Sequence, residues 1–151
     1  MSIPKITTTT DITLVTLQGC PTELTFVSKV FSSIADLGVN VDMISLAPPQ
    51  GAFTAISFTI DDNDLGKILS FTSELREKSN IKTIVSSGNC KISIYDAEMK
   101  NTPGVASAFF AAAATANADI RIITTSEVDI SFLVTAADYN ATLSAIEAAA
   151  K

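Results

Sequence analysis

The chain has 151 residues, 47 % of them hydrophobic, which is enough for one ordinary domain or two small units that share a core. Its net charge of −6 and its pI near 4.4 disfavour binding to nucleic-acid phosphates, and no cluster of Lys or Arg offsets that charge. The sequence contains no histidine, so the commonest general base and transition-metal ligand is missing.

The first half of the sequence opens with a strand, a helix and a hairpin. Residues 12–17 (ITLVTL) form a short apolar strand, and the turn signal GCPTEL leads into a helix. Apolar residues recur at helical spacing up to Gly38, which is a natural C-terminal cap. Residues 39–46 and 53–60 then alternate in character, which predicts two strands joined by the loop APPQG.

A second helix and a fourth strand complete this half, which gives the order β-α-β-β-α-β. Three closely spaced carboxylates favour the start of the helix through its dipole: Asp61, Asp62 and Asp64. They lack the glycine and terminal glutamate of a calcium loop, so they predict a helix start and no cation site. The predicted buried face of the helix consists of Leu65, Ile68, Leu69, Thr72 and Leu75. Residues 81–85 (IKTIV) form the fourth strand.

The second half repeats this pattern. A strand at 91–96 is followed by the loop NTPG and by a helix with the core face Val105, Phe109 and Ala113. Two strands follow at 118–126 and 127–134, and residues 135–149 form a final helix. Self-comparison aligns Phe31 with Phe110, VNVDMIS with ADIRIIT, and ISFTI with ISFLV. The sequence therefore predicts an internal duplication.

The second half ends at its second helix and lacks a fourth strand. Ile3–Thr10 is the one strand-like segment left over, and an open position in a sheet would expose backbone groups. We therefore expect residues 11–86 to form the first unit, and residues 3–10 plus 89–151 to form the second. The predicted fold class is α+β, with two ferredoxin-like βαββαβ units, antiparallel sheets with helices on one face, and the first unit nested in the second.

Four stretches of the sequence resemble a known family: GVNVDMIS, ISFTI, NTPGVASAFF and, most specifically, ITTSEVDISFLV. They resemble the tandem ACT-domain regulatory region of aspartokinase over essentially the whole chain, without the catalytic kinase domain. The resemblance implies a non-catalytic regulatory module of amino-acid biosynthesis, with an amino acid (lysine or threonine) bound at an interface between ACT units and acting allosterically. It also implies a homodimer or a complex with an aspartokinase-type catalytic chain.

In that family the ligand is held by the loop that opens the first helix and by the start of the following strand. Amides at a helix N-terminus suit a carboxylate, and a nearby Asp or Asn suits an ammonium or hydroxyl. In the first unit the resemblance implies Cys20, Thr22, Glu23, Thr25, Asn40, Val41, Asp42 and Met43. In the second unit it implies Asp119, Ile120, Thr125, Ser126 and Glu127.

The sequence also departs from the family at the ligand loops. Leu24–Thr25 stands where the family has Pro-Gly, Leu46–Ala47 replaces Gln-Asn, and Asp96 and Glu98 replace glycines that permit close backbone approach. These changes favour an alternative, a ligand-free structural ACT module that mediates oligomer or kinase-subunit assembly. A small enzyme on the same scaffold is a third interpretation, which the lack of an acid–base constellation disfavours.

The remaining reactive side chains have simpler interpretations. Cys20 and Cys90 have no metal-like spacing and no histidine to activate them, so we expect space-filling thiols in a reduced, cytoplasmic protein. Carboxylates near strand ends, such as Asp96 and Glu127, are usually solvated, so no metal and no cofactor is predicted. The apolar runs are too short to cross a bilayer, and the first ten residues lack a signal-peptide core.

Overall fold

A computed structural model describes residues 3–151. Six strands form a sheet whose hydrogen-bonded order is β2-β3-β1-β4-β6-β5. The strands are β1 (Lys5–Pro21), β2 (Ile44–Leu46), β3 (Phe53–Asp61), β4 (Lys82–Tyr95), β5 (Ile120–Thr125) and β6 (Asp129–Thr135). The helices are α1 (Leu24–Asp36), α2 (Leu65–Lys78), α3 (Val105–Thr115) and α4 (Tyr139–Ala149). Short 3-10 turns precede α2 and α4 and follow β4.

The chain divides into two compact units. The inner unit consists of residues 12–87, and the outer unit consists of residues 88–151 together with the N-terminal residues up to Asp11. The inner unit has the strand order β2-β3-β1-β4, and the outer unit has the order β1-β4-β6-β5. Each unit thus contains two helices and four strand segments, and β1 and β4 contribute residues to both units.

The predicted number of strands was wrong, because two pairs of predicted strands are continuous. The segments predicted at 3–10 and 12–17 form β1, and those at 81–85 and 91–96 form β4. Two residues with positive φ stand in these strands at the boundary of the units, Asp11 at 59° and Gly88 at 70°. Asp and Gly are typical strand breakers in a sequence pattern, but both residues enter the left-handed region at low cost, so each strand continues past them.

The strand predicted at 39–46 is also shorter than expected, because β2 includes only Ile44–Leu46. The residues just before β2 still lie alongside β3, since the Asp42 N–H donates to the Thr59 carbonyl at 3.0 Å. Val39 and Met43 are buried, so these residues are held by packing as well as by hydrogen bonds. The apolar alternation of residues 39–46 therefore reflects which side chains are buried, and not a regular ladder of strand hydrogen bonds over the whole segment.

The core of the inner unit lies between its helices and its sheet. Ile56 and Phe58 of β3 are fully buried against Val30 and Ile34 of α1 and Ile68 of α2. The predicted buried face of α2 was wrong at one position: Leu69 is 47 % exposed, whereas Phe71 packs on the core. The two residues are apolar but lie about 200° apart around the helix, so the direction from which the sheet is met decides which of them is buried.

The internal duplication recurs in side-chain contacts. Phe31 meets Phe58 edge-on with ring centroids 5.7 Å apart, and the aligned Phe110 meets Phe132 at 5.4 Å. A pair of hydroxyls on neighbouring strands is also repeated, with Thr16 to Ser57 at 3.0 Å in the inner unit and Ser93 to Ser131 at 2.8 Å in the outer unit. Edge-to-face aromatic pairs contribute about 0.5–1.5 kcal/mol beyond their buried area, so each unit has the same anchor between its first helix and its sheet.

The first helices of the two units end in the same way. Gly38 follows α1 with φ of 77°, and Asn117 follows α3 with φ of 53°. The next amide in each case bonds back into the helix, Val39 to the Ile34 carbonyl at 3.3 Å and Ala118 to the Ala113 carbonyl at 3.4 Å. This is a Schellman-type ending, in which a left-handed residue satisfies the last helical carbonyls.

Because Gly38 has a positive φ and Gly66 lies within α2, alanine at the two positions is expected to have opposite effects. Gly38→Ala should lower the free energy of unfolding by about 1 kcal/mol, since an L-residue is strained there. Gly66→Ala should raise it by about 0.5–1 kcal/mol, because no heavy atom lies within 4 Å of the added Cβ and alanine favours a helix. Urea unfolding followed by circular dichroism measures both, and the same sign for the two variants would contradict the assignment.

Candidate functional site

The ligand residues predicted for the inner unit lie in two groups at opposite ends of α1. The helix-opening group follows the end of β1: Cys20, Thr22, Glu23 and Thr25. The strand-entry group precedes β2: Asn40, Val41, Asp42 and Met43. Since α1 has 13 residues, its two ends are about 20 Å apart.

The sheet gives the same separation independently. Cys20 is paired with Thr54 at one end of β3, whereas Met43 is hydrogen-bonded to Thr59 nearer the other end. Five residues of extended strand span about 17 Å. A free amino acid is much shorter than that, so the two groups of one unit cannot hold the same ligand molecule.

In the helix-opening group, the exposed side chains belong to Thr22, Glu23 and Thr25. Glu23 is the N-cap residue of α1, and its carbonyl accepts from the Phe26 N–H at 3.0 Å. The Glu23 side chain makes no capping hydrogen bond. This end of the helix therefore presents its positive dipole end and two threonine hydroxyls to solvent.

Cys20, by contrast, is a core residue of the inner unit with no exposed surface. Its thiol donates to the Leu17 carbonyl at 3.4 Å, and burial raises the pKa of the thiol from its ordinary value. A raised pKa leaves little thiolate near neutral pH, and the thiolate is the nucleophile. The space-filling interpretation of Cys20 fits this environment, and its side chain is not accessible to a ligand in solution.

Native protein treated with iodoacetamide at pH 8 is therefore expected to keep Cys20 unmodified, because burial both blocks access and suppresses the thiolate. Peptide mass spectrometry after a fixed interval measures the modified fraction. The matched reference is the same reaction in guanidinium chloride, where Cys20 and the other buried cysteine, Cys90, should both react. Alkylation of Cys20 at similar rates with and without denaturant would show that the thiol is reactive in the fold.

The strand-entry group is held in place by a residue that sequence reasoning did not single out, Thr59 of β3. Its hydroxyl accepts from the Met43 N–H at 2.9 Å, its N–H donates to the Met43 carbonyl at 3.0 Å, and its carbonyl accepts from the Asp42 N–H at 3.0 Å. Thr59 and Met43 are buried, while Asn40 and Asp42 are exposed. The available signal was a single polar residue among the apolar positions near the end of β3.

Removing the Thr59 hydroxyl should destabilise the inner unit. Thr59→Val keeps the shape of the side chain but leaves the buried Met43 N–H without its acceptor, so the free energy of unfolding should fall by about 1–3 kcal/mol. Thr124→Val on β5 is a matched control at a partly buried strand position, and we expect it to change stability by less than about 0.5 kcal/mol. Chemical unfolding of both variants checks this, and equal stability would remove the role assigned to Thr59.

The ligand residues predicted for the outer unit also lie in two groups, at opposite ends of the unit. Thr125, Ser126 and Glu127 lie at the turn between β5 and β6, where the Ser126 N–H donates to the Asp129 carbonyl at 3.0 Å. The Glu127 carboxylate lies 3.5 Å from the Lys100 ammonium. This turn sits beside the end of β4, because the Asp96 N–H donates to the Val128 carbonyl at 2.8 Å.

Asp119 and Ile120 lie at the other end of the outer unit, at the start of β5. The Asp119 N–H donates to Asp138 Oδ2 at 2.8 Å, and the Thr135 hydroxyl donates to the same oxygen at 3.1 Å. The Asp119 carboxylate is exposed and lies 3.3 Å from Arg121. Asp138, which the sequence did not single out, therefore positions the backbone of this group much as Thr59 does in the inner unit.

Within residues 3–151, no group of three or more Cys, Asp or Glu side chains is arranged to hold a metal ion. In the same residues, no helix is both long enough and apolar enough to cross a membrane.

Comparisons with family models and with solved structures agree on one family. A model of the ACT domain matches residues 92–149, which lie in the outer unit. The structure superposes on the regulatory subunit of aspartate kinase from Thermus thermophilus with a TM-score of 0.88 and 28 % identity, covering 99 % of both chains. The corresponding subunit from Thermus flavus gives 0.89 and 27 % over 100 % of both. The chain is a regulatory ACT region of the aspartokinase type. The family resemblance and the fold class predicted from the sequence are thereby confirmed.

Similarity to complete aspartokinases is limited to one part of those proteins. The ACT region is 32 % identical to the aspartokinase of Bacillus sp. (strain MGA3) over 125 residues, which are 82 % of this chain and 30 % of that protein. It is 31 % identical to aspartokinase 2 of Bacillus subtilis over 128 residues, which are 84 % and 31 % of the two chains. The chain thus spans about a third of the length of the curated relatives it matches.

Proposed function

We propose that this ACT region binds a free amino acid at an interface between ACT units and thereby regulates an aspartokinase-type catalytic chain. The observation that carries the proposal is the match over 99 % of both chains with an aspartate kinase regulatory subunit. The chain itself supplies regulation rather than phosphoryl transfer, since its similarity to whole aspartokinases covers about 30 % of their length.

The geometry supports an interface site in particular. The helix-opening group and the strand-entry group of one unit are about 17–20 Å apart, so one small ligand can contact both kinds of group only where two units meet. The helix-opening group of one unit would then receive the ligand carboxylate at its amides, while Asn40 and Asp42 or Asp119 of the other unit would receive the ammonium. These three side chains are exposed, as an interface ligand requires.

Regulation follows from differential affinity. A ligand that bridges two units stabilises the arrangement in which the units meet, and it shifts the population toward that arrangement by its difference in binding free energy. The conformation of a catalytic domain that is attached to these units, or associated with them, would change with the same population shift. Lysine and threonine are the first candidates.

A thermal-shift screen against lysine, threonine and methionine at millimolar concentration tests the proposal. A ligand at about one hundred times its Kd stabilises by about 2.7 kcal/mol, which gives a clear rise in Tm. The rise should disappear in Asp42→Asn and Asn40→Ala. It should persist in Asn63→Ala, a matched substitution at an exposed position of the turn before α2.

The alternative function is a ligand-free structural module that assembles an oligomer or holds a catalytic chain. The observation that favours it is exposed apolar surface at the altered loops: Leu24 is 76 % exposed and Leu46 is 52 % exposed. Such residues are stabilised when a partner covers them. No rise in Tm with any amino acid, together with a mass above that of one chain in solution, would favour this function over ligand binding.

A further inference from the structure

An open groove of about 670 Å³ separates α1 from α2 in the inner unit. Apolar side chains that are only partly buried line it, namely Phe26, Phe71 and Leu75, and Leu37 is 38 % exposed. None of the residues predicted to bind an amino acid lines the groove. The two helices of the inner unit therefore leave the space between them incompletely filled.

The outer unit shows that a helix pair of this fold can close. Its helices α3 and α4 pack more closely against each other than α1 and α2 do. The alignment of Phe31 with Phe110, and of ISFTI with ISFLV, places alanines where the groove has larger or polar residues. The matched pairs are Lys29 with Ala108, Ser33 with Ala112, Phe71 with Ala145, and Glu74 with Ala148. The groove is therefore a feature of the inner unit and not a requirement of the fold.

The two helices that border the groove run antiparallel, because α1 follows β1, α2 follows β3, and these strands are antiparallel neighbours. A Cβ built on Gly38, just after α1, would lie 3.9 Å from the Lys67 ammonium nitrogen in the first turn of α2. Nine residues back along α1 lead to Lys29, and seven residues onward along α2 lead to Glu74. At 1.5 Å per residue, Lys29 and Glu74 differ by only about 3 Å in their level along the groove.

Lys29 and Glu74 are thus opposite charges on the two walls of the groove, and both are exposed. Within residues 3–151, neither has an ion-pair partner within 4 Å. A movement of α1 toward α2 would bring the two charges together and remove apolar surface of Phe26 and Phe71 from water. Hydration of the charged groups favours the open position instead. The groove therefore has two opposing terms of the kind that a two-position element requires.

We infer that α1 moves between an open and a closed position over α2, and that the Lys29–Glu74 ion pair forms only in the closed position. The regulatory part of this inference rests on the proposed function. The helix-opening group lies at one end of α1 and the strand-entry group follows the other end, so a movement of the helix displaces ligand residues. An amino acid then binds the two positions with different affinities and shifts their populations. The groove gives the helix room for this movement.

Relaxation-dispersion NMR of the ¹⁵N-labelled full chain tests the movement, because it detects exchange between conformations on the μs–ms timescale. We expect exchange at the amides of α1 and none at those of α3, the matched helix of the closely packed pair. Ser33→Leu places a larger side chain in the groove and should abolish the exchange at α1. The inference is overturned if α1 shows no exchange, or if Ser33→Leu leaves the exchange as it is in the wild type.

A charge-reversal cycle tests the ion pair. Lys29→Glu and Glu74→Lys each place like charges across the groove and should lower the closed population by about tenfold. The double variant restores opposite charges and should recover the wild-type population. Lys82→Glu and Glu147→Lys are matched controls at exposed positions outside the groove and should leave the population unchanged. The amide spectrum of each variant shows that it is folded, and a double variant as open as the single variants would contradict the pairing.

Lysine, threonine and methionine, each added separately at millimolar concentration, connect the groove with the ligand site. An amino acid that raises Tm should also change the ratio of open to closed α1 by about tenfold. A rise in Tm with an unchanged ratio would overturn the regulatory part of the inference. Exchange at α1 without a rise in Tm for any of the three would count against the proposed function and still support the movement, so the two proposals can fail separately.

Discussion

Both units depend on two long strands, β1 and β4, each of which contributes residues to both units. β1 has 17 residues and β4 has 14, and the boundary between the units crosses β1 after Asp11 and β4 before Gly88. Without the N-terminal part of β1, the outer unit would be left with three strands and an exposed edge of unpaired backbone groups. The positive φ angles of Asp11 and Gly88 stand at this crossing, where a residue that tolerates the left-handed region lets the strand continue.

The order β-α-β within each unit then decides where functional side chains can lie. A helix that returns along the sheet begins at one end and finishes at the other, so the loop before α1 and the residues after it are separated by the helix length. The outer unit follows the same rule, with Thr125–Glu127 at one end and Asp119 at the other. The buried Thr59 in one unit and the half-buried Asp138 in the other hold the backbone of the strand-entry residues, while Asn40, Asp42 and Asp119 stay exposed. The two groups of predicted residues in one unit therefore lie too far apart to contact the same small molecule.

The two units are alike where their helices meet their sheets and differ where their helices meet each other. The aromatic pair and the hydroxyl pair recur with nearly the same distances, because they sit at the contact that defines the fold. The helix faces are under no such constraint. Alanines close one pair of helices, whereas aromatic and charged residues keep the other pair apart.

Local patterns in the sequence predicted most of the elements, since helical and strand periodicity record which face of each segment is buried. The helix ending at Gly38, the hairpin around APPQG and the internal duplication all followed from residue order alone. The continuity of β1 and β4 did not, because Asp and Gly are typical turn residues, and at Asp11 and Gly88 the strand continues on both sides of a residue with positive φ. The choice between Leu69 and Phe71 was likewise set by the direction in which α2 meets the sheet. The sequence named the exposed polar residues of the candidate site through its family resemblance. Only the tertiary structure decided that they fall into two groups, because the distance between loops depends on the length of a folded helix and not on their order along the chain.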